Sequence, residues 1–374
     1  MRIAHLTCVF PPYAGGIGRV AYELAARQAE FHQVEVFTPL YKETKLTDSF
    51  YKFKVNYLAS SYQLGKAVLV PDILARLKGF DIVHLHYPWF GAHEFLNKLD
   101  KKTKLVITYH MAAKSAGWKQ ILFSLDDFLF AKHLSKRADC LLVATVDYLK
   151  NVALPNFGEP EKWRVLPFGV DQNYYPGSPS FGLQNKLGII PSDRILIFVG
   201  TLDKAHEFKG LPVLLKSLKQ IQDSAVKLLI VGDGDMKQSY EALAQSLDLS
   251  DRVRFVGYIP ENDLPDYYRL ASVMVFPSLT AAEAFGLVAV QAMACALPVV
   301  ASDLAGVRQV VQNNVNGLLV PAGQADELAI SISKLVNNQG LAKQFGQAGR
   351  QMVLEKYQWD DIVKKLEGIY RQLM

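Results

Sequence analysis

Val273-Met274-Val275-Phe276-Pro277-Ser278, Glu283-Ala284-Phe285-Gly286-Leu287, Gln291-Ala292-Met293-Ala294 and Leu297-Pro298-Val299-Val300 follow one another within residues 273–300. The first run is apolar, rich in valine, and ends on a proline, which reads as a buried strand. A loop then delivers Glu283, a helix starts near Phe285-Gly286, and the last run returns to a strand. Strands that are apolar throughout and separated by helices belong to a parallel sheet covered on both faces. The free N–H groups of a helix start, with glycine allowing close approach, suit a phosphate. Glu283 at its mouth can accept hydrogen bonds from sugar hydroxyls. Gln291, eight residues on, lies about two turns along and shares that face.

The same rhythm extends outward. In the second half of the chain, strands are expected at 195–200, 227–231, 253–257, 273–277 and 298–301, with a helix over 211–222. Toward the N-terminus they are expected at 3–9, 34–38, 82–86, 105–110 and 140–144, with helices over 17–30 and 118–136. The rhythm pauses at Phe168-Gly169-Val170-Asp171 and at Pro176-Gly177-Ser178-Pro179-Ser180, which reads as a linker. The fold class is therefore α/β, with two Rossmann-like domains facing across a cleft. The domains are expected at 1–170 and 171–356, and the final helix within 357–374 packs back on the first. Such folds bind ligands at the carboxyl ends of their strands.

Length and composition agree: 374 residues, half of them apolar, exceed one compact core and supply two. Three cysteines, Cys8, Cys140 and Cys295, stand far apart without a C-x-x-C pair, which fits a reducing cytoplasm and argues against a disulfide framework or zinc site. The N-terminal apolar run is too short and interrupted for a signal peptide. Phe285–Ala301, the longest apolar stretch, holds Gln291 and Pro298 and suits a helix followed by a strand better than a membrane span. Residues 1–170 carry 22 Lys and Arg against 15 Asp and Glu, the remainder 19 against 21. A basic first half suggests an anionic partner, a membrane surface or a lipid-linked phosphate, although an ordinary solvated surface explains it equally. No dense basic run with interleaved aromatics occurs, so no nucleic-acid partner is expected.

Further candidates flank the central stretch. Val199-Gly200-Thr201-Leu202 ends a strand and precedes Lys209-Gly210. Pro11-Pro12-Tyr13-Ala14-Gly15-Gly16-Ile17-Gly18 forms a Gly-rich loop. Gly16-x-Gly18-x-x-Ala21 fits the dinucleotide pattern, but five residues separate Phe10 from Gly16 and the second strand ends Phe37-Thr38-Pro39 without an acid, so nicotinamide binding is rejected. His110 ends an apolar strand and points into the expected cleft. His84 and His86 share a strand face but lack a third ligand at a suggestive spacing. Asp233-Gly234-Asp235 follows a strand and reads as a tight turn with Asp235 near a helix start, so no metal is expected.

These residues carry a resemblance. Residues 283–291 resemble the E-x7-E region of the retaining glycosyltransferases of family 4 (group 1), which have the GT-B fold. The resemblance implies that Glu283 contacts the donor sugar and that the Phe285-Gly286-Leu287 amides meet the diphosphate. It places a Glu on the ribose hydroxyls where this chain has Gln291, an amide without the charge-assisted bond of a carboxylate. It also implies two cations on the leaving diphosphate: Lys209 matches one, while Thr201 stands at the other's position and Lys204 or His206 are the nearby substitutes. Gly16 would face the donor phosphates, and His110 the donor sugar. The implied activity is metal-independent, retaining hexosyl transfer from a UDP- or GDP-sugar to a glycan or lipid-linked acceptor. It would need no cofactor and would serve cell-envelope polysaccharide synthesis in the cytoplasm or peripherally on the inner face of the membrane. A catalytically weak nucleotide-sugar-binding homologue and a GT-B nucleotide-sugar epimerase are the alternatives.

Overall fold

The structure, a computed structural model, describes residues 1–11, 15–41, 51–59, 62–64, 67–111, 130–152, 157 and 159–374. Residues 12–14 of the Gly-rich loop and 118–129 of the expected second helix lie outside the described residues. The chain divides into two compact units, Met1–Gly169 with Trp359–Met374, and Val170–Gln358.

The first unit is built on strands β1 (Arg2–Thr7), β2 (Gln33–Pro39), β3 (Lys54–Leu58), β4 (Gln63–Leu64), β5 (Ala67–Val68), β6 (Ile82–Tyr87), β7 (Lys104–Tyr109), β8 (Cys140–Val143) and β9 (Trp163–Val165). Seven of them form one sheet in the order β3-β2-β1-β6-β7-β8-β9, while β4 and β5 pair as a short antiparallel hairpin. The seven-stranded ladder is parallel throughout. β1, β6 and β7 are buried along nearly their whole length, as central parallel strands must be. The helix Gly16–Gln28 follows β1. The helix Trp359–Leu373 buries Trp359, Ile362, Val363, Leu366, Glu367 and Tyr370, a 3-4 spacing that presents one face to this unit.

In the second unit, β10 (Arg194–Val199), β11 (Val226–Val231), β12 (Val253–Gly257), β13 (Val273–Phe276), β14 (Val299–Ser302) and β15 (Gly317–Val320) form a parallel sheet ordered β12-β11-β10-β13-β14-β15. This doubly wound order reverses between β10 and β13, and ligands of such sheets bind at the carboxyl ends beside that reversal. The core joins Leu196, Phe198, Leu214, Leu218, Ile230, Val275 and Ile332. Val170 pairs with Gln358 and its N–H donates to Tyr357 O, so both ends of the unit lie together.

Among the described residues, five strands add to those expected from sequence: β3, the short β4–β5 pair, β9 and β15. β3 is an edge strand whose residues are mostly half-exposed, and β9 has only Trp163 buried, so neither makes an apolar run. The helix expected near Phe285-Gly286 runs from Leu287 to Ala294, with Gly286 as its cap.

Candidate active site

The reversal point of the second sheet gathers two loops. After β10 the chain makes a 3-10 turn, Lys204–Lys209, that ends on Gly210 at φ 74°. A Cβ on Gly210 would stand 2.0 Å from Pro277 O, so only glycine lets this turn close on the end of β13. Leu279 N–H donates to Phe208 O at 2.7 Å and completes the clamp. The clamp fixes where Lys209 and Glu283 can reach: Lys209 Nζ lies 3.3 Å from Glu283 Oε2, with both side chains 16% exposed.

Beyond Glu283, Phe285 is buried and packs edge-on against Tyr357 at 5.6 Å. Gly286 takes φ 83°, and no side chain caps the Leu287–Ala294 helix. The first amide used in its ladder is that of Ala289, donating to Gly286 O at 2.9 Å. The Gly286 and Leu287 amides therefore belong to the open first turn, carrying partial positive charge. A lysine, a carboxylate and an open helix start together can hold a phosphate and a neighbouring hydroxylated group.

Gln291 is nearly buried, at 6% exposure, and both ends of its amide are occupied. Its Oε1 accepts from Tyr268 OH at 3.2 Å, and its Nε2 donates to Glu261 Oε1 at 3.0 Å. Glu261 Oε1 also accepts from Tyr174 OH at 2.5 Å. Burial with Glu261 nearby pushes the Tyr268 hydroxyl well above its ordinary pKa, so it stays a donor. Glu261 is a functional candidate that the sequence did not single out: it puts a carboxylate beside the amide at 291.

Of the expected substitutes for a second cation, His206 is engaged through its ring and Lys204 through its backbone amide. That bond leaves the charge of the Lys204 ammonium uncommitted. His206 Nδ1 lies 2.5 Å from Asp203 Oδ1, and the Lys204 amide donates to Asp235 Oδ1 at 3.1 Å. Thr201 is exposed beside them. Asp235 stands near a helix start, as expected, directly before the cap residue and without capping the helix itself. The following helix, Lys237–Ser246, is capped at Met236 without a side-chain bond, and Asp235 ties down the 204 turn instead.

His110 and Gly16 belong to the first unit. His110 follows β7, donates its backbone N–H to Tyr87 O at 3.0 Å, and stacks on Phe168 at 5.0 Å. Gly16 is exposed at the start of its helix, where a Cβ would meet nothing within 4 Å. Gly18 makes the close approach there, since its Cβ would stand 2.8 Å from Val9 O. His84 and His86 do gain a third histidine: His5, in register with His84 across the β1–β6 pair. The sequence gives no sign of this, because the partners lie on strands far apart along the chain.

Residues 14–174 match the family model described as Glycosyltransferase Family 4, and residues 182–352 match that described as Glycosyl transferases group 1. The chain belongs to the family 4, group 1 glycosyltransferases. This transferase is 28% identical to a D-inositol 3-phosphate glycosyltransferase from Kribbella flavida, over 90% of this chain and 85% of that one. It is 25% identical to a GDP-mannose-dependent alpha-(1-6)-phosphatidylinositol monomannoside mannosyltransferase from Mycobacterium tuberculosis, over 99% and 98%. Among solved structures, sucrose-phosphate synthase from Thermosynechococcus elongatus superposes with a TM-score of 0.81 at 26% identity, covering 100% of this chain and 98% of that one. The two parallel α/β domains are those of the GT-B fold. Among the described residues, no helix is long and apolar enough to cross a membrane.

Proposed function

We propose that this glycosyltransferase moves a hexosyl unit from a UDP- or GDP-linked donor to a glycan or lipid-linked acceptor, with retention of configuration and without a metal ion or cofactor. The observation that supports it best is the convergence of Lys209 and Glu283, 3.3 Å apart, beside the open helix start at Gly286-Leu287. Lys209 and the amides of Gly286 and Leu287 stabilise the charge that grows on the departing diphosphate. Glu283 accepts hydrogen bonds from the sugar and orients it, and His110 contacts a sugar hydroxyl. The C1–O bond to the diphosphate breaks, the acceptor oxygen bonds C1 on the same face, and the acceptor's proton passes to the leaving phosphate.

The names of two relatives, an inositol-phosphate glycosyltransferase and a GDP-mannose-dependent enzyme of a mannosylated phosphatidylinositol, favour a phosphorylated or lipid-linked acceptor. The basic balance of residues 1–170 agrees with such an acceptor at an anionic membrane surface, on the cytoplasmic side, in cell-envelope synthesis. The test is incubation with UDP- and GDP-sugars and inositol-phosphate or lipid-linked acceptors, followed by NMR of the product's anomeric centre. A product with the donor's anomeric configuration is expected. Inversion, tight nucleotide binding without transfer, or epimerised donor in the absence of acceptor would each overturn the reading.

A further inference from the structure

Four imidazoles stand in one row in the first unit. His5 on β1 is in register with His84 on β6, His86 lies two residues along, and His110 follows β7. His5, His84 and His86 are fully buried and His110 is 6% exposed. Ring nitrogens of the first three come within 4.8 Å of one another, a spacing that could suit a metal ion. Both nitrogens of each, however, are held by hydrogen bonds. His84 is held by Tyr370 OH at 2.6 Å and Thr108 Oγ1 at 2.7 Å. The other two belong to a continuous chain: Glu367 Oε1 to Gln28 Nε2 at 2.8 Å, Gln28 Oε1 to His5 Nε2 at 2.8 Å, His5 Nδ1 to His86 Nε2 at 3.1 Å, and His86 Nδ1 to His110 Nε2 at 2.9 Å. His32 Nε2, 2.6 Å from Glu367 Oε2, holds the carboxylate from its other side.

The chain has one direction. A carboxylate only accepts, so Gln28 turns its NH2 to Glu367 and its carbonyl to His5. A carbonyl also only accepts, so His5 carries its proton on Nε2 and offers a lone pair at Nδ1. A neutral imidazole has one donor and one acceptor nitrogen, so His86 repeats the pattern and imposes it on His110. Burial keeps the rings neutral: it pushes His5 down to about 4 and His110 to about 3, and holds His86 well below its ordinary value.

We propose that Glu367, Gln28, His5 and His86 are positioning residues that hold His110 in its Nε2–H tautomer, so that Nδ1 accepts a hydrogen bond from a sugar hydroxyl of the substrate. The substrate clause rests on the transferase reading; the tautomer does not. The proton on His110 is thereby set by the chain's final helix, more than 250 residues away in sequence, through Glu367. A His110 protonated at Nδ1 would donate where this one accepts.

Long-range 1H–15N spectra of histidine-labelled protein read each tautomer directly. The expected spectrum at neutral pH has pyrrole-like Nε2 and pyridine-like Nδ1 in His5, His86 and His110. A proton on His110 Nδ1, or an imidazolium, overturns the proposal, and this measurement needs no variant to fold. Gln28→Met cannot accept from His5; it should give a mixture of His110 tautomers and lower kcat about tenfold with KM for the nucleotide sugar unchanged. An unchanged His110 tautomer in that variant overturns the relay. Glu367→Gln keeps an acceptor for Gln28 and should return the wild-type tautomer, whereas Glu367→Met should not; equal disturbance by both would show charge rather than bond direction at work and overturn it. The expected tautomers without any transfer activity would sink the transferase reading alone, and transfer with the opposite tautomer would sink this proposal alone.

Discussion

Gly200 lies directly beneath Lys209: a Cβ at position 200 would stand 2.7 Å from Lys209 Cδ and 3.3 Å from Cε. The lysine stem is thus laid across the end of β10, and its ammonium is aimed at Glu283 by a surface with no room for a methyl group. Gly200→Ala should displace the ammonium while leaving the sheet intact. It is expected to lower kcat/KM for the nucleotide sugar, with a melting temperature close to wild type. Lys209→Ala should lower kcat by about a hundredfold or more, the usual cost of losing a group that stabilises transition-state charge. Wild-type kcat/KM in Gly200→Ala alongside an impaired Lys209→Ala would show that the packing does not place the lysine.

Gln291→Glu would place a second carboxylate where Gln291 Nε2 now donates to Glu261, at 3.0 Å. Two like charges at that distance raise the pKa of one carboxyl above its unfolded value. The sign follows from linkage: below the unfolded pKa both states are protonated and the variant matches wild type. As pH rises through the raised folded pKa, only the unfolded state ionises freely, and stability is lost. Urea midpoints at acid and neutral pH should therefore diverge from wild type as pH rises. In the wild type, Glu261 supplies the carboxylate of this corner, so Glu261→Gln should weaken nucleotide binding in a thermal-shift titration. An unaffected titration would place the ribose elsewhere.

What the sequence disclosed and what it hid have physical causes. Central strands such as β10 and β13 are apolar at nearly every position because parallel sheets are buried on both faces, and that signal survives in one dimension. Lys209 and Glu283, taken from separate motifs, meet at 3.3 Å because each follows a strand beside the sheet's reversal point. Edge strand β3 carries no such signal, being half solvated. Glu261 and Gln291 are 30 residues apart and meet only through tertiary packing. His5 and His84 are likewise cross-strand neighbours whose pairing depends on β1 lying next to β6, which no local pattern reveals.

The histidine row should make the protein acid-sensitive well above the carboxylate range. His5 is lowered to about 4 and His110 to about 3, from an ordinary 6.5, with burial as the main cause in both. Their folded pKa values lie below the unfolded ones. The stability they carry is complete above 6.5 and is lost as pH falls from 6.5 toward 4 for His5 and toward 3 for His110, because the unfolded chain takes up protons first. Each group adds up to about 1.4 kcal/mol per pH unit across its window. Chemical-denaturation midpoints measured between pH 7 and 4 should fall steeply, and His110→Gln should flatten part of that slope. A flat profile above pH 5 would contradict a row of neutral, buried imidazoles.

Gly286 combines two constraints that one substitution tests together. At φ 83° a side chain is strained, and its Cβ would stand 2.8 Å from Phe276 Cε1 on the neighbouring strand. Gly286→Ala should therefore cost about 1–3 kcal/mol of stability from the backbone conformation. It should also turn the first amides of the Leu287–Ala294 helix away from the point where Lys209 and Glu283 converge. The two effects separate experimentally. Gly210→Ala, strained at φ 74° with its Cβ 2.0 Å from Pro277 O, disturbs the opposite side of the same clamp. If the open helix start binds the diphosphate, Gly286→Ala should weaken nucleoside diphosphate and nucleotide sugar alike while leaving the free nucleoside unchanged, because only the phosphates meet those amides. Equal loss for nucleoside and nucleoside diphosphate would mean that the substitution acts through general destabilisation, and the phosphate would have to be placed elsewhere on the second unit.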